Sequence, residues 1–228
     1  MKRLIQVVLL ISVFSNAFSQ IDERVFFQIG GTVGADYSAS KGAIGVKNIN
    51  VNQSYTNTQI NYASVIFGSR INFMEFSNNS SMSLALKPTL SMGRAYNDIG
   101  GGSNLSLRVP VFMELNFGAA STVSTRKDVG FAIGFGMQYV RYPLLKGVPV
   151  AKDLGTKAVT VNAHWFEPVV DMGIKFFGKH YYCREVNLRA SYASIKEVDN
   201  STAQAPDQVI KGFTNMGFML SFSQYINY

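Results

Sequence analysis

From Val25 onward the chain alternates between apolar and polar positions, broken by stretches rich in Gly, Asn and Ser. Successive side chains on a strand point to opposite faces, so a period of two predicts strands with one apolar and one polar side. Val25, Phe27, Ile29, Val33 and Tyr37 set the first strand, with Gln28 and Asp36 on its other parity. A second covers 59–73, where Ala63, Val65, Phe67, Ile71 and Phe73 share a face while Ile60, Tyr62 and Ile66 oppose them. The third carries Met82, Leu84, Leu86, Leu90, Met92 and Tyr96, with Pro88 among them and Lys87 opposite. Leu105, Leu107, Val109, Val111, Met113, Leu115 and Phe117 give the fourth, whose alternation is the strictest in the chain. Val129 to Tyr139, Phe166 to Phe176 and Tyr182 to Tyr192 give the next three. The last places Phe218, Leu220, Phe222, Ile226 and Tyr228 on one face, with Ser221, Ser223, Tyr225 and Asn227 on the other.

The stretches between them read as turns and loops. Those at 38–57, 143–157 and 197–211 are long, 77–81, 119–128 and 178–180 are short turns, and 97–104 (with Gly100-Gly101-Gly102) is intermediate. Long and short connections alternate along the chain. Small residues such as Gly134 and Gly136 occupy the polar parity of the fifth strand, which leaves room across a narrow interior.

That polar parity also holds charge. Arg108 and Glu114 fall on it in the fourth strand, Glu167, Asp171 and Lys175 in the sixth, and Glu185 and Arg189 in the seventh. Charges of both signs on the inner face need a polar interior, because a buried charge must be paired. The fold class expected is all-β: an eight-stranded antiparallel up-and-down transmembrane β-barrel, apolar side outward. Its lumen charges form either a salt-bridged plug or a polar path for small solutes. Eight strands enclose little more than their own side chains, which favours the plug.

The N-terminal segment has Lys2 and Arg3, an apolar run from Leu4 to Phe14, and Ala17-Phe18-Ser19 before Gln20. This is the layout of a secretory signal peptide over 1–19, with the barrel domain at 20–228. The final strand, ending on aromatic Tyr228, resembles the closing strand of small eight-stranded outer-membrane β-barrels. That resemblance implies location in the outer membrane of a Gram-negative cell. It also implies that Phe218, Leu220, Phe222, Ile226 and Tyr228 form the signal read by the barrel-assembly machinery. More loosely the chain looks like the PorT-like barrels of the Bacteroidota, whose signal peptides often end in Ser-Gln, as Ser19-Gln20 does here. No motif specific to that group accompanies it.

Composition agrees with a membrane barrel. Charged residues are 15% of the chain and aromatics 13%, against about 25% charged in ordinary soluble domains. The net charge of +7 is dispersed rather than clustered, so a nucleic-acid partner is not expected. The partners expected are outer-membrane lipid and lipopolysaccharide, and a protein at the outer loops. A lone cysteine, Cys183, leaves no intramolecular disulfide, and neither His164 nor His180 stands in a metal-ligand spacing. No cofactor motif occurs. The family of barrels that removes acyl chains from lipopolysaccharide uses His-x-Ser, but this chain reads His164-Trp165-Phe166. No catalytic residue is therefore assigned, and a structural or interaction role is expected, with a narrow channel or carrier for small solutes as the alternative and a lipid-modifying outer-membrane enzyme as the third reading. A closed barrel will migrate as two bands, heated against unheated, when the outer-membrane fraction is run in mild detergent. A single band from the soluble periplasmic fraction would reject the membrane fold.

Overall fold

The computed structural model describes residues 24–46, 49–97, 100–148, 159–178, 182–199 and 208–226. The expected signal peptide over 1–19, His180 and Tyr228 lie outside them. Among the described residues there are nine strands: β1 (Val25–Val46), β2 (Ile49–Ser77), β3 (Ser80–Leu86), β4 (Thr89–Asn97), β5 (Gly100–Gly118), β6 (Val129–Val148), β7 (Val159–Phe177), β8 (Cys183–Asp199) and β9 (Gln208–Tyr225). Each pairs antiparallel with its neighbours, and β1 pairs with both β2 and β9, which closes the ring. β3 and β4 are halves of one wall strand, since β2 and β5 each pair with both. The wall is therefore eight strands round.

The break between β3 and β4 falls at Lys87-Pro88, where proline has no N–H to give the ladder. The wall stays joined there. The Phe67 amide donates to the Pro88 carbonyl at 3.1 Å, and the Lys87 amide to the Pro110 carbonyl at 3.3 Å.

Polarity is inverted relative to a soluble barrel. Phe135, Met113, Ile174, Leu105 and Phe67 are more than half exposed on the outside, while Arg108, Glu114, Lys175 and Glu185 are buried inside. No helix among the described residues is long and apolar enough to cross a membrane; the strands do so instead. Hydrocarbon offers backbone groups no partner, and a closed ladder satisfies them without an edge. The outward aromatics form two levels. Phe73, Phe117, Phe131 and Tyr182 lie at one end, and Tyr37, Tyr96, Phe166 and Tyr192 at the other. From Phe131 to Tyr139 along β6 is about 27 Å of strand, or roughly 20 Å once tilted, near the height of an outer-membrane apolar band.

The ambiguous second strand is explained by a register shift between Asn61 and Ala63 in the β2–β4 ladder. Below it Ala63, Val65, Phe67, Ile71 and Phe73 face out; above it Ile60 and Tyr62 also face out. An added residue swaps the parity, so a face that reads as mixed in sequence is consistent in space. Only Ile66 of the three opposing residues points inward.

Four expected loops are corrected. The 38–57 region is mostly strand, with β1 running to Val46 and β2 starting at Ile49. The triple glycine opens β5, and Gly101 pairs opposite Tyr96. β6 runs to Val148, and β8 and β9 reach Asp199 and Gln208. The 149–158 and 200–207 portions of the other two loops lie outside the described residues. The reason is common to all four. Above the bilayer the outer face has no lipid to meet, so the apolar alternation disappears while the hydrogen-bond ladder continues.

The 119–128 connection also differs from an exposed turn. Ala119, Ala120, Ser121 and Thr122 are fully buried beneath the barrel. They dock on the β2–β3 turn through Thr122 Oγ1 to the Asn78 carbonyl at 2.5 Å and Thr125 Oγ1 to Asn79 Oδ1 at 2.8 Å. Ala120 takes a left-handed φ of 51°, which turns the segment inward. A charge on the outer belt should cost most at mid-height. Met113→Arg is expected to lower unfolding free energy in liposomes by about 2–4 kcal/mol, and Phe117→Arg by about 0–1 kcal/mol. Equal losses would refute the assigned membrane level.

Candidate functional site

Among the described residues, buried charge gathers in the lumen. All seven residues expected there (Arg108, Glu114, Glu167, Asp171, Lys175, Glu185 and Arg189) are buried on the inner face. Asp36, Arg70 and Lys87 join them. Among the described residues the buried cations Arg70, Lys87, Arg108, Lys175 and Arg189 thus face an equal number of carboxylates: Asp36, Glu114, Glu167, Asp171 and Glu185. A narrow interior tolerates such charges only when they are paired and hydrogen-bonded.

Lys87 is the hub, and it enters the lumen beside the Pro88 break. Its Nζ lies 2.5 Å from Glu114 Oε1, 2.8 Å from Asp171 Oδ2 and 3.9 Å from Glu185 Oε1. The Glu114 contact is off the hydrogen-bonding direction, so that carboxylate is held by charge. Arg189 Nε reaches Asp171 Oδ1 at 3.2 Å, and its NH1 donates to Thr89 at 3.3 Å. The Phe112 ring lies 5.7 Å from Lys87 Nζ and 5.2 Å from the Arg189 guanidinium. Two glycines make room. A Cβ on Gly134 would press on Glu114, and one on Gly173 would meet Glu185 and Asn187.

Toward the inner end, Arg70 NH1 and Lys175 Nζ both donate to Asn116 Oδ1. Arg70 also donates to the Ala120 carbonyl and stacks 4.2 Å from the Phe26 ring centroid. The Tyr225 hydroxyl donates to Glu185 at 2.9 Å. Cys183 packs with Phe26, Ala120 and Tyr225, a small buried residue facing inward.

The outer half is divided in character. Arg108 pairs with Asp36 at 2.5 Å and donates to the Tyr142 hydroxyl at 2.9 Å; Asn61 and Ser91 complete the Asp36 shell. Glu167 accepts from Gln138, Trp165 Nε1 and Asn215. Tyr142, Trp165, Phe213, Val198 and Ile210 fill the β6–β9 side with apolar bulk. The β1, β2 and β5 side carries Ser38, Ser40, Asn57, Gln59, Asn104 and Ser106. No group of three or more His, Cys, Asp or Glu among the described residues is arranged to hold a metal. His164 is exposed on the outer face, its ring 6.0 Å from that of Tyr139.

Five participants were not singled out from sequence. Asp36, Lys87 and Tyr225 stand on polar parities, so strand alternation alone would have found them. Arg70 stands on the second strand, whose mixed faces left inside and outside undecided, and Tyr142 lies past Tyr139, where the fifth strand was expected to end. Of the closing-strand residues, Phe218, Leu220 and Ile226 face outward and are exposed, Phe222 is half-buried, and Tyr228 lies outside the described residues.

A closed antiparallel ring with an apolar belt outside and paired charge inside defines a transmembrane β-barrel, and its place is the outer membrane. No family model and no curated protein sequence matches the chain. Among solved structures it is similar to the outer membrane protein OprG from Pseudomonas aeruginosa. That match has 10% identity, covers 90% of this chain and 97% of that one, and has a TM-score of 0.45. It is similar to the outer membrane protein AlkL, at 12% identity, 90% and 91% coverage and a TM-score of 0.46. The outer membrane enzyme PagL is another, at 16% identity, 83% and 98% coverage and 0.36. Likeness at this level carries no function across.

Removing the hub should expose its importance. Lys87→Met leaves several carboxylates without their cation and is expected to cost about 3–5 kcal/mol of unfolding free energy in liposomes. Adding Glu114→Gln and Asp171→Asn should recover part of it. An unchanged urea midpoint for the single variant would mean the hub contributes nothing.

Proposed function

We propose that this chain is a closed, non-enzymatic barrel that acts through its outer surface, as a structural or interaction protein, rather than by conduction. The observation that carries this reading is the filled lumen. Charged side chains of both signs pair across it, Trp165, Tyr142 and Phe213 pack its outer half, and the 119–122 segment lies buried beneath its inner end. An interior so occupied offers solutes no continuous path. The strands meanwhile extend well beyond the upper aromatic level, and the ladder from Tyr37 to Val46 against β2 forms a projecting rim. Such a rim suits contact with a partner outside the cell. The PorT-like resemblance of the sequence fits this reading as a fold-level analogy, and a role in protein secretion or gliding stands on that analogy alone.

A narrow solute path is the second reading, favoured by the polar side of the outer lumen. Oxygens of Asn57, Asn61, Asn104 and Ser106 there are buried without a protein partner, and such groups call for water or a polar guest. Planar bilayers separate the two. The folded chain is expected to be electrically silent at moderate voltage. Discrete, reproducible conductance that changes with Arg108→Gln would replace the closed-barrel reading with the channel.

A further inference from the structure

The β7–β8 ladder ends early. Its uppermost pair is Val169 with Ser191, although β7 continues up the wall to Val159 and β8 to Asp199. Above that pair β7 stays joined to β6, and β8 to β9. The parting begins beside Pro168, which lacks an N–H to donate. An outward-facing apolar groove of about 570 Å³ lies over this point, lined by Gly136, Pro168, Val170, Ala190, Tyr192 and Phe218 among others. The small Ala190 side chain leaves the depth, and Phe218 and Tyr192 supply the walls.

Immediately above the groove is a row of basic residues. Arg141 of β6 pairs in register with His164 of β7, and both are exposed. Across the seam Lys196 is exposed on β8, five residues beyond Ser191, as His164 is exposed on β7 five residues before Val169. The three stand just outside Tyr139, Phe166 and Tyr192, which puts them at headgroup height. The acid nearby on β8 is Glu197, which is in register with Lys211 of β9.

We propose that this seam binds one phosphorylated, acylated lipid of the outer leaflet, with a phosphate on Arg141, His164 and Lys196 and an acyl chain in the groove below. Each half supports the other. A basic row alone would attract any anion, and a groove alone would be covered by any lipid. Stacked at headgroup and hydrocarbon depth they match one molecule that carries both features. The bound chain would lie along the opening where the wall is unpaired. The inference rests on the membrane placement of the barrel and is independent of whether the lumen conducts.

Native mass spectrometry of the full chain in detergent tests it, with monophosphorylated lipid A as probe and phosphatidylethanolamine as control. The wild-type barrel is expected to retain one lipid A in preference to phosphatidylethanolamine. Arg141→Gln, His164→Gln and Lys196→Gln together should weaken retention on the order of tenfold or more. Ala190→Phe, which fills the groove without touching charge, should weaken it as well. The heat-induced gel shift of each sample reports folding separately, so a variant that fails to fold is recognised and replaced by the single Lys196→Gln. Equal retention by the wild type and the charge variant overturns the proposal, as does equal retention of both lipids. Displacement of the lipid by millimolar inorganic phosphate would also overturn it, reducing the seam to an anion site.

Discussion

Hydrocarbon supplies no hydrogen bond, and the architecture follows from that absence. A backbone group left unpaired in lipid costs several kcal/mol, so the strands must close on themselves, β1 meeting β9. Closure fixes which side of each strand meets lipid, and the period of two then dictates where polar residues go. They go inside. A soluble protein of this size collects its apolar residues in a core, whereas here Phe135, Met113 and Ile174 are spent on the exterior. The centre must be filled with what remains.

What remains is polar, and a narrow polar centre away from water is stable only if its charges answer one another. The balance of buried cations and carboxylates meets that demand, and the hub at Lys87 shows how it is met locally. Pro88 ends β3, the wall is bonded past the break by backbone contacts from Phe67 and Lys87, and the lysine beside it turns inward to serve Glu114, Asp171 and Glu185. A ladder defect and the principal electrostatic contact thus share one position. Pro168 differs, because there the wall does part, and the surface outside it changes from a uniform belt to a groove.

How much of this the sequence carried depends on what each face meets. Strands β5, β6 and β7 were legible because lipid on one side and lumen on the other force a clean alternation, as from Leu105 to Phe117. The seven charged lumen residues were legible for the same reason. β2 was not, because one added residue between Asn61 and Ala63 exchanges its faces, so that Ile60 and Tyr62 read against Val65 and Phe67. The rising ends of β1, β2 and β6 were not either. There the outer side has no lipid to meet, so the apolar alternation that marks a strand is lost while the ladder continues. The parting of β7 from β8 has no periodic signature at all, since pairing between strands is not written in the alternation of either one.

The buried 119–122 segment bears on how such a barrel is completed. It is held by Arg70 of β2 through the Ala120 carbonyl, and Arg70 in turn touches the hydroxyl and ring of Tyr225 in β9. Tyr225 also packs edge-on against Phe26 of β1 and donates to Glu185 of β8. One side chain of the final strand therefore joins the first strand, the second, the eighth element and, through Arg70, the floor. A nascent chain that lacks this strand has neither a closed wall nor a secured base. Sealing of the wall and seating of the floor therefore depend on the same side chain, with β9 as the latch for elements that precede it in the chain.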